Sequence, residues 1–224
     1  MSIGTTATTA AILAAGLSLG LVAAAPAHAL ATTETPHSPR ADFLAEPASN
    51  DAHMVADWVV ATADSRGTPF VIVDKKNTKV FVFDGRGRLL GATPALLGLA
   101  RGDDSAPGIG DRELSRIRPE ERTTPAGRFV ASLGRDLGTQ DVLWVDYSAA
   151  LSLHRVLAAN TREHRLQRLA AASPRDHRIT FGCINVPVKF YDGVVHPVFA
   201  ATSGVVYILP EIKSIPEVFF HAIS

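Results

Sequence analysis

Cysteine is close to absent from this 224-residue chain: Cys183 is the only one. A single cysteine excludes an intramolecular disulfide framework, and with scattered histidines it does not make a zinc site. Net charge is absent too. The 22 Lys and Arg balance the 22 Asp and Glu, so no strong field points to nucleic acid or to an anionic membrane. Aromatic residues are scarce, which argues against a base-stacking platform. What is left is the composition of an ordinary globular chain, long enough for one domain with a sizeable core plus an extension.

Positive charge is also missing ahead of the apolar run over residues 7–25, which is built of Ala, Leu, Ile, Val, Gly, Ser and Thr. Ala27-His28-Ala29 follows it with the small-x-small pattern of a signal-peptidase site, so residues 1–29 read as a cleavable export signal peptide and the mature chain starts at Leu30. The run is short for a spanning helix, and membrane attachment is expected only through this segment if it stays uncleaved. The expected location is the periplasm or cell envelope. In an oxidising compartment a lone cysteine is either a liability or a working thiol.

Residues 30–66 read as a flexible linker followed by a helix over 52–63, capped by Ser49 or Asn50, with Val55, Trp58, Val59 and Thr62 on one face. The main domain, 67–224, opens with strands at 70–74 and 79–83 joined by the Lys75-Lys76-Asn77-Thr78 turn, then a third near 88–93. Three short strands so spaced predict an all-β meander. Residues 98–127 are polar and rich in Gly, Pro, Arg and Asp, the pattern of a functional loop or lid. Gly102-Asp103-Asp104 within it lacks the ligand spacing of a calcium loop and reads as solvated. Further strands are expected up to Ala131, over 142–146, over 151–153 and over 205–209. A helix is expected over 161–172, with Leu166, Leu169 and Ala170 inward and Arg162, Arg165 and Arg168 on a solvated side. Another starts at Pro187 and runs toward Ala200, with His196-Pro197 distorting its last turn.

The chemistry centres on Ile179-Thr180-Phe181-Gly182-Cys183-Ile184-Asn185-Val186-Pro187. Gly182 has no side chain, so a substrate carbonyl can approach the backbone beside the sulfur, and nearby N–H groups can serve an oxyanion. His154 ends the 151–153 strand, 29 residues before Cys183. A histidine beside a thiol lowers its pKa and passes protons in acyl transfer. His177 is the rival base. It lies in the polar run 173–178, read as an exposed loop, and a strand end fixes a side chain better.

Thr124-Pro125-Ala126-Gly127-Arg128-Phe129, His154 and Thr180-Phe181-Gly182-Cys183-Ile184-Asn185 occur in the order found in L,D-transpeptidase catalytic domains, and residues 69–210 resemble that family. Two positions depart from its pattern: Phe181 stands where a second histidine is usual, and Arg155 where glycine is common, before a longer spacer. The resemblance implies a mainly β, YkuD-like mixed sheet or sandwich with a few short helices. It implies an exported peptidoglycan enzyme of wall synthesis and cell shape, with no cofactor and no metal. Cys183 would be the nucleophile and His154 the acid/base. Thr180, Gly182 and Asn185 would serve substrate binding, although Thr180 can equally satisfy the turn and Asn185 cap the helix after it. The implied partners are peptidoglycan stem peptides and an amine acceptor, a second stem or a wall-linked protein. A thiol hydrolase of the same fold (an L,D-carboxypeptidase or endopeptidase) and a non-catalytic wall-binding module are the alternatives.

Overall fold

Alternation of β-branched and aromatic residues builds the centre of the molecule. In β1 (Phe70–Asp74) and β2 (Lys79–Phe83), which pair antiparallel, successive side chains leave opposite faces of the sheet. Val71, Val73, Val80 and Val82 enter one core; Phe70, Ile72, Phe81 and Phe83 enter another. Both faces are covered, so both strands are almost wholly buried. The computed structural model describes residues 39–220 except 137 and 139, and the expected signal peptide and most of the expected linker lie outside these.

The second core is closed by α1 (Asn50–Thr62). Ser49 caps it, its hydroxyl accepting the Ala52 N–H at 3.1 Å, and Ala63 ends it in a left-handed conformation. Its buried stripe is Ala52, Val55, Ala56 and Val59, so the inward face is turned one step from that expected: Trp58 is only half-buried and Thr62 is exposed.

The remaining strands are β3 (Leu89–Pro94), β4 (Leu97–Gly98), β5 (Gly127–Arg135), β6 (Asp141–Asp146), β7 (Leu151–Arg155), β8 (Arg178–Thr180), β9 (Ile184–Val186) and β10 (Gly204–Ile208). Eight form one sheet in the order β3-β2-β1-β10-β5-β6-β7-β9, and β4 pairs with β8 alone. The fold is thus mainly β with a few short helices. The sheet is mixed, because β10 runs parallel to β1 and β9 parallel to β7, where the opening strands had suggested a simple meander.

Two expected helices change form. The one over 161–172 is a single 3-10 turn, Thr161–Glu163, and the short α2 (Arg165–Leu169), because His164 takes a left-handed φ of 50° between them. Leu166 is exposed, while Arg165 and Arg168 turn toward the protein. After Pro187 the chain makes α3 (Val188–Phe190), a wide π turn over Tyr191–Val195 and α4 (His196–Phe199). The distortion therefore precedes His196-Pro197. Pro197 cannot donate to the carbonyl four residues back, and the wide turn absorbs that loss. Tyr191, Val195 and Phe199 bury in the first core.

Candidate active site

The parallel pairing of β7 and β9 assembles the site. Leu153 lies opposite Ile184 and His154 opposite Asn185. The same register, continued one step back, sets Ser152 beside Cys183, and period 2 puts Ser152 and His154 on one face of β7. The Ser152 hydroxyl donates to Cys183 Sγ at 3.6 Å, and the thiol faces the Ala150 carbonyl at 3.4 Å. Ser152 was not singled out from the sequence; its signal was alternation, two positions before a strand-end histidine.

The cysteine loop is held by hydroxyl groups. Thr124 donates to the Gly182 carbonyl at 2.7 Å and accepts the Gly98 N–H at 2.9 Å. Thr180 donates to the Cys183 carbonyl at 2.7 Å and accepts the Gly182 N–H at 3.2 Å. Gly182 has a φ of 139°, and a Cβ there would meet the Thr123 carbonyl oxygen at 2.9 Å, so only glycine fits without strain. Thr180 is buried and Asn185 is 1% exposed, and both make these bonds to the protein itself.

His154 Nδ1 donates to the Arg155 carbonyl at 2.8 Å, and its Nε2 meets the Asn185 Nδ2 amide at 3.0 Å. Arg155 is itself fixed, reaching Asp141 and Asp192 and stacking 4.2 Å from the Tyr191 ring. The long Arg155 side chain is thereby held in place, next to the carbonyl that orients the imidazole. Burial pushes the Cys183 thiol up, but His154, by hydrogen bond and charge, and Ser152 outweigh it and hold the thiol below its ordinary value. Burial presses the imidazole down, but Cys183 and the Arg155 carbonyl raise it. The pair is densely surrounded, yet the Cys183 side chain keeps intermediate exposure. A nucleophile and a base that favour each other's charged form suit acyl transfer.

His177 stands apart. It is 4% exposed, not in an open loop, and its ring nitrogens meet the Thr78 hydroxyl at 2.6 Å and the Ala171 carbonyl at 3.1 Å.

The segment 98–127 lies over the sulfur. It contains three 3-10 turns, Ile109–Asp111, Leu114–Arg116 and Pro119–Glu121. Ile109, Arg112, Leu114 and Ile117 join Phe181 and Cys183 around a cavity of about 60 Å³. Arg122 lies 4.0 Å from the Phe181 ring and donates to the Ile117 carbonyl, so Phe181 serves as a platform for this cover. Asp103 is not solvated as expected. It pairs with the buried Lys75 Nζ at 2.7 Å and accepts the N–H groups of Glu211, Ile212 and Lys213 at 2.8, 2.8 and 2.6 Å. Among the described residues no cluster of His, Cys, Asp and Glu suits a metal ion, and no helix is long and apolar enough to cross a membrane.

No protein-family model matches this sequence, and no curated protein does. Solved structures similar to it include the L,D-transpeptidase LdtMt1 in complex with imipenem, at 14% identity and a TM-score of 0.36, covering 63% of this chain and 59% of that one. They also include the catalytic domain of the E. faecium L,D-transpeptidase, at 14% identity and a TM-score of 0.35, covering 64% of this chain and 98% of that domain. The chain thus spans under two thirds of the length of the first of these.

Proposed function

We propose that this protein is an exported cysteine acyltransferase of the L,D-transpeptidase type, acting on peptidoglycan stem peptides. The observation that supports the reading is the β7–β9 register, which sets His154 opposite Asn185 and, one step back, Ser152 beside Cys183, with the thiol lowered by His154 and Ser152 and the His154 Nδ1 tied to a backbone carbonyl. That is the arrangement of a nucleophile, a base and an orienting group.

In this reading the Cys183 thiolate attacks the carbonyl of the third stem residue, meso-diaminopimelate, and a C–S bond forms. The C–N bond to D-Ala breaks, and the leaving amine takes the proton that His154 received from the thiol. An acceptor amine then attacks the thioester and gives its proton to His154. The amide forms, and the sulfur leaves and is reprotonated. Atoms and charge balance with no cofactor. The Gly182 N–H is engaged by Thr180, which leaves the Cys183 N–H as the loop's candidate oxyanion donor. Thr180 and Gly182 serve by shaping the loop and Asn185 by its contact with His154. A cavity of about 60 Å³ is far below the several hundred Å³ of an ordinary ligand pocket, so in this reading a stem reaches the sulfur only with the 98–127 cover displaced.

The test is incubation of the mature protein with tetrapeptide muropeptides, followed by mass spectrometry. Cross-linked or amine-exchanged product supports the transferase, and tripeptide alone supports the hydrolase. No change, with a Cys183 that ignores imipenem, removes the enzyme reading in favour of a wall-binding module. The imipenem adduct is expected once per chain, on Cys183, and absent from Cys183→Ser.

A further inference from the structure

Arg165 lies on the segment between β7 and β8, eleven residues beyond His154, yet its side chain is only 13% exposed and points back into the site. Its Nη1 donates to Asn185 Oδ1 at 2.7 Å. A guanidinium has donors and no acceptor, so it dictates which end of the Asn185 amide faces it. The oxygen must face Arg165, and the NH2 must therefore face His154. An amide NH2 only donates, so His154 Nε2, 3.0 Å away, must accept and carry no proton. The ring proton then sits on Nδ1, which is where the Arg155 carbonyl is waiting at 2.8 Å. Every donor in the row Arg165, Asn185, His154, Arg155 meets an acceptor, and reversing the amide would set donor against donor at its guanidinium end.

We infer that Arg165 is a positioning residue: acting through the Asn185 amide, it fixes the His154 tautomer, with the ring proton on Nδ1 and the Nε2 lone pair held against the Asn185 NH2. Its use for catalysis rests on the reading that Cys183 and His154 react together. Protonating Nε2 turns an N–H toward the Asn185 NH2, and the amide cannot rotate away without losing Arg165. Arg165 therefore works against the imidazolium, by this bond and by its own charge. The other groups facing the ring act in known senses. The Cys183 thiolate favours the imidazolium, Glu163 is paired with Arg165 and tempers its charge, and the Arg155 guanidinium is turned away to Asp141 and Asp192. Taking a proton at Nε2 displaces the Asn185 N–H from that lone pair, so the imidazolium formed during attack is a stronger acid toward the leaving amine.

The test combines nitrogen NMR of 15N-histidine-labelled full chain with the pH dependence of Cys183 alkylation by iodoacetamide. Read at a pH above its titration, wild-type His154 should show protonated Nδ1 and bare Nε2, and Cys183→Ala should show the same. In Arg165→Ala the amide is free to turn its oxygen toward the ring. The His154 titration should move up by roughly 0.5 pH unit or more, and the alkylation midpoint should move down, because the thiolate–imidazolium pair gains. Arg165→Lys keeps a donor and the charge and should restore the wild-type curves. Arg162→Ala, at an exposed neighbour, should leave them unchanged. The inference is overturned if the neutral wild-type His154 ring carries its proton on Nε2, a result that needs no variant to fold. It is also overturned if Arg165→Ala leaves both titrations unmoved, or if Arg165→Lys matches Arg165→Ala. Loss of activity on muropeptides with the expected tautomer intact would sink the proposed reaction and not this inference.

Discussion

In the proposed reaction single side chains carry the chemistry, and each substitution has its own readout. The Cys183 thiol is held low by His154, so alkylation should reach half its maximal rate below pH ~8.5, the value of a free thiol. His154→Ala should move that midpoint up toward the free value and slow acylation by at least about a hundredfold. Cys183→Ala should abolish thioester formation, and the double variant should be no worse, because groups acting as a unit do not add. His177→Ala should leave the midpoint in place, since His177 bonds to Thr78 and Ala171 and not to the thiol. A shift with His177→Ala and none with His154→Ala would reverse the assignment. Gly182→Ala has a different cost. The positive φ and the Thr123 carbonyl oppose a methyl group, so unfolding in urea should show a loss of about 1–3 kcal/mol. A neutral result would mean that the loop is free to rearrange. Cys183 was legible in the sequence through its rarity and His154 through its place at a strand end. Ser152 and Arg165 were not, because nothing local says which strand or segment will lie beside a given one.

At the scale of elements, the cover over Cys183 and the platform beneath it act as a pair. Arg122 bridges the Phe181 ring and the Ile117 carbonyl, so Phe181→Ala should loosen the segment. Bulky maleimides should then gain on Cys183 relative to iodoacetamide, by a factor of several. An unchanged ratio would show that the cover is held elsewhere. Phe181→His keeps an aromatic platform and should leave turnover within about tenfold of wild type. The base of the same segment is tied down by Asp103. Burial would raise that carboxyl, but Lys75 and three backbone N–H groups outweigh it and bring it to about 2. A folded value below the unfolded one (~3.9) means that its stabilisation is full above about pH 4 and is lost as pH falls toward 2. Wild type should therefore weaken across that window in urea titrations. Asp103→Asn should lack this part of the pH dependence and, leaving the buried Lys75 only the Glu211 carboxylate at 3.9 Å, should be less stable at pH 7 by about 3 kcal/mol. Equal pH slopes in the two proteins would refute the assignment.

For the whole molecule, export is the remaining prediction. Residues 7–25 and Ala27-His28-Ala29 lead us to expect that the secreted or periplasmic protein begins at or near Leu30 on N-terminal sequencing. An intact Met1 on soluble cytoplasmic protein would remove the redox argument for a working Cys183. The sequence by itself determined the opening hairpin and the closing strand, offered Ser49 or Asn50 as the α1 cap, and singled out Cys183 and His154 as candidates. Each of these is written in neighbouring positions: alternation, a capping hydroxyl, a scarce residue. It also set 98–127 apart as a long irregular segment through composition alone. Only the tertiary structure decided that the sheet is mixed, that β9 runs parallel beside β7, and that Arg165 turns inward while Arg162 stays in solvent. Period 2 tells a strand which side chains share a face, but not which strand will be its neighbour. That choice is made when distant segments close on a common core, and here it sets Asn185 against His154 and the cover against Cys183.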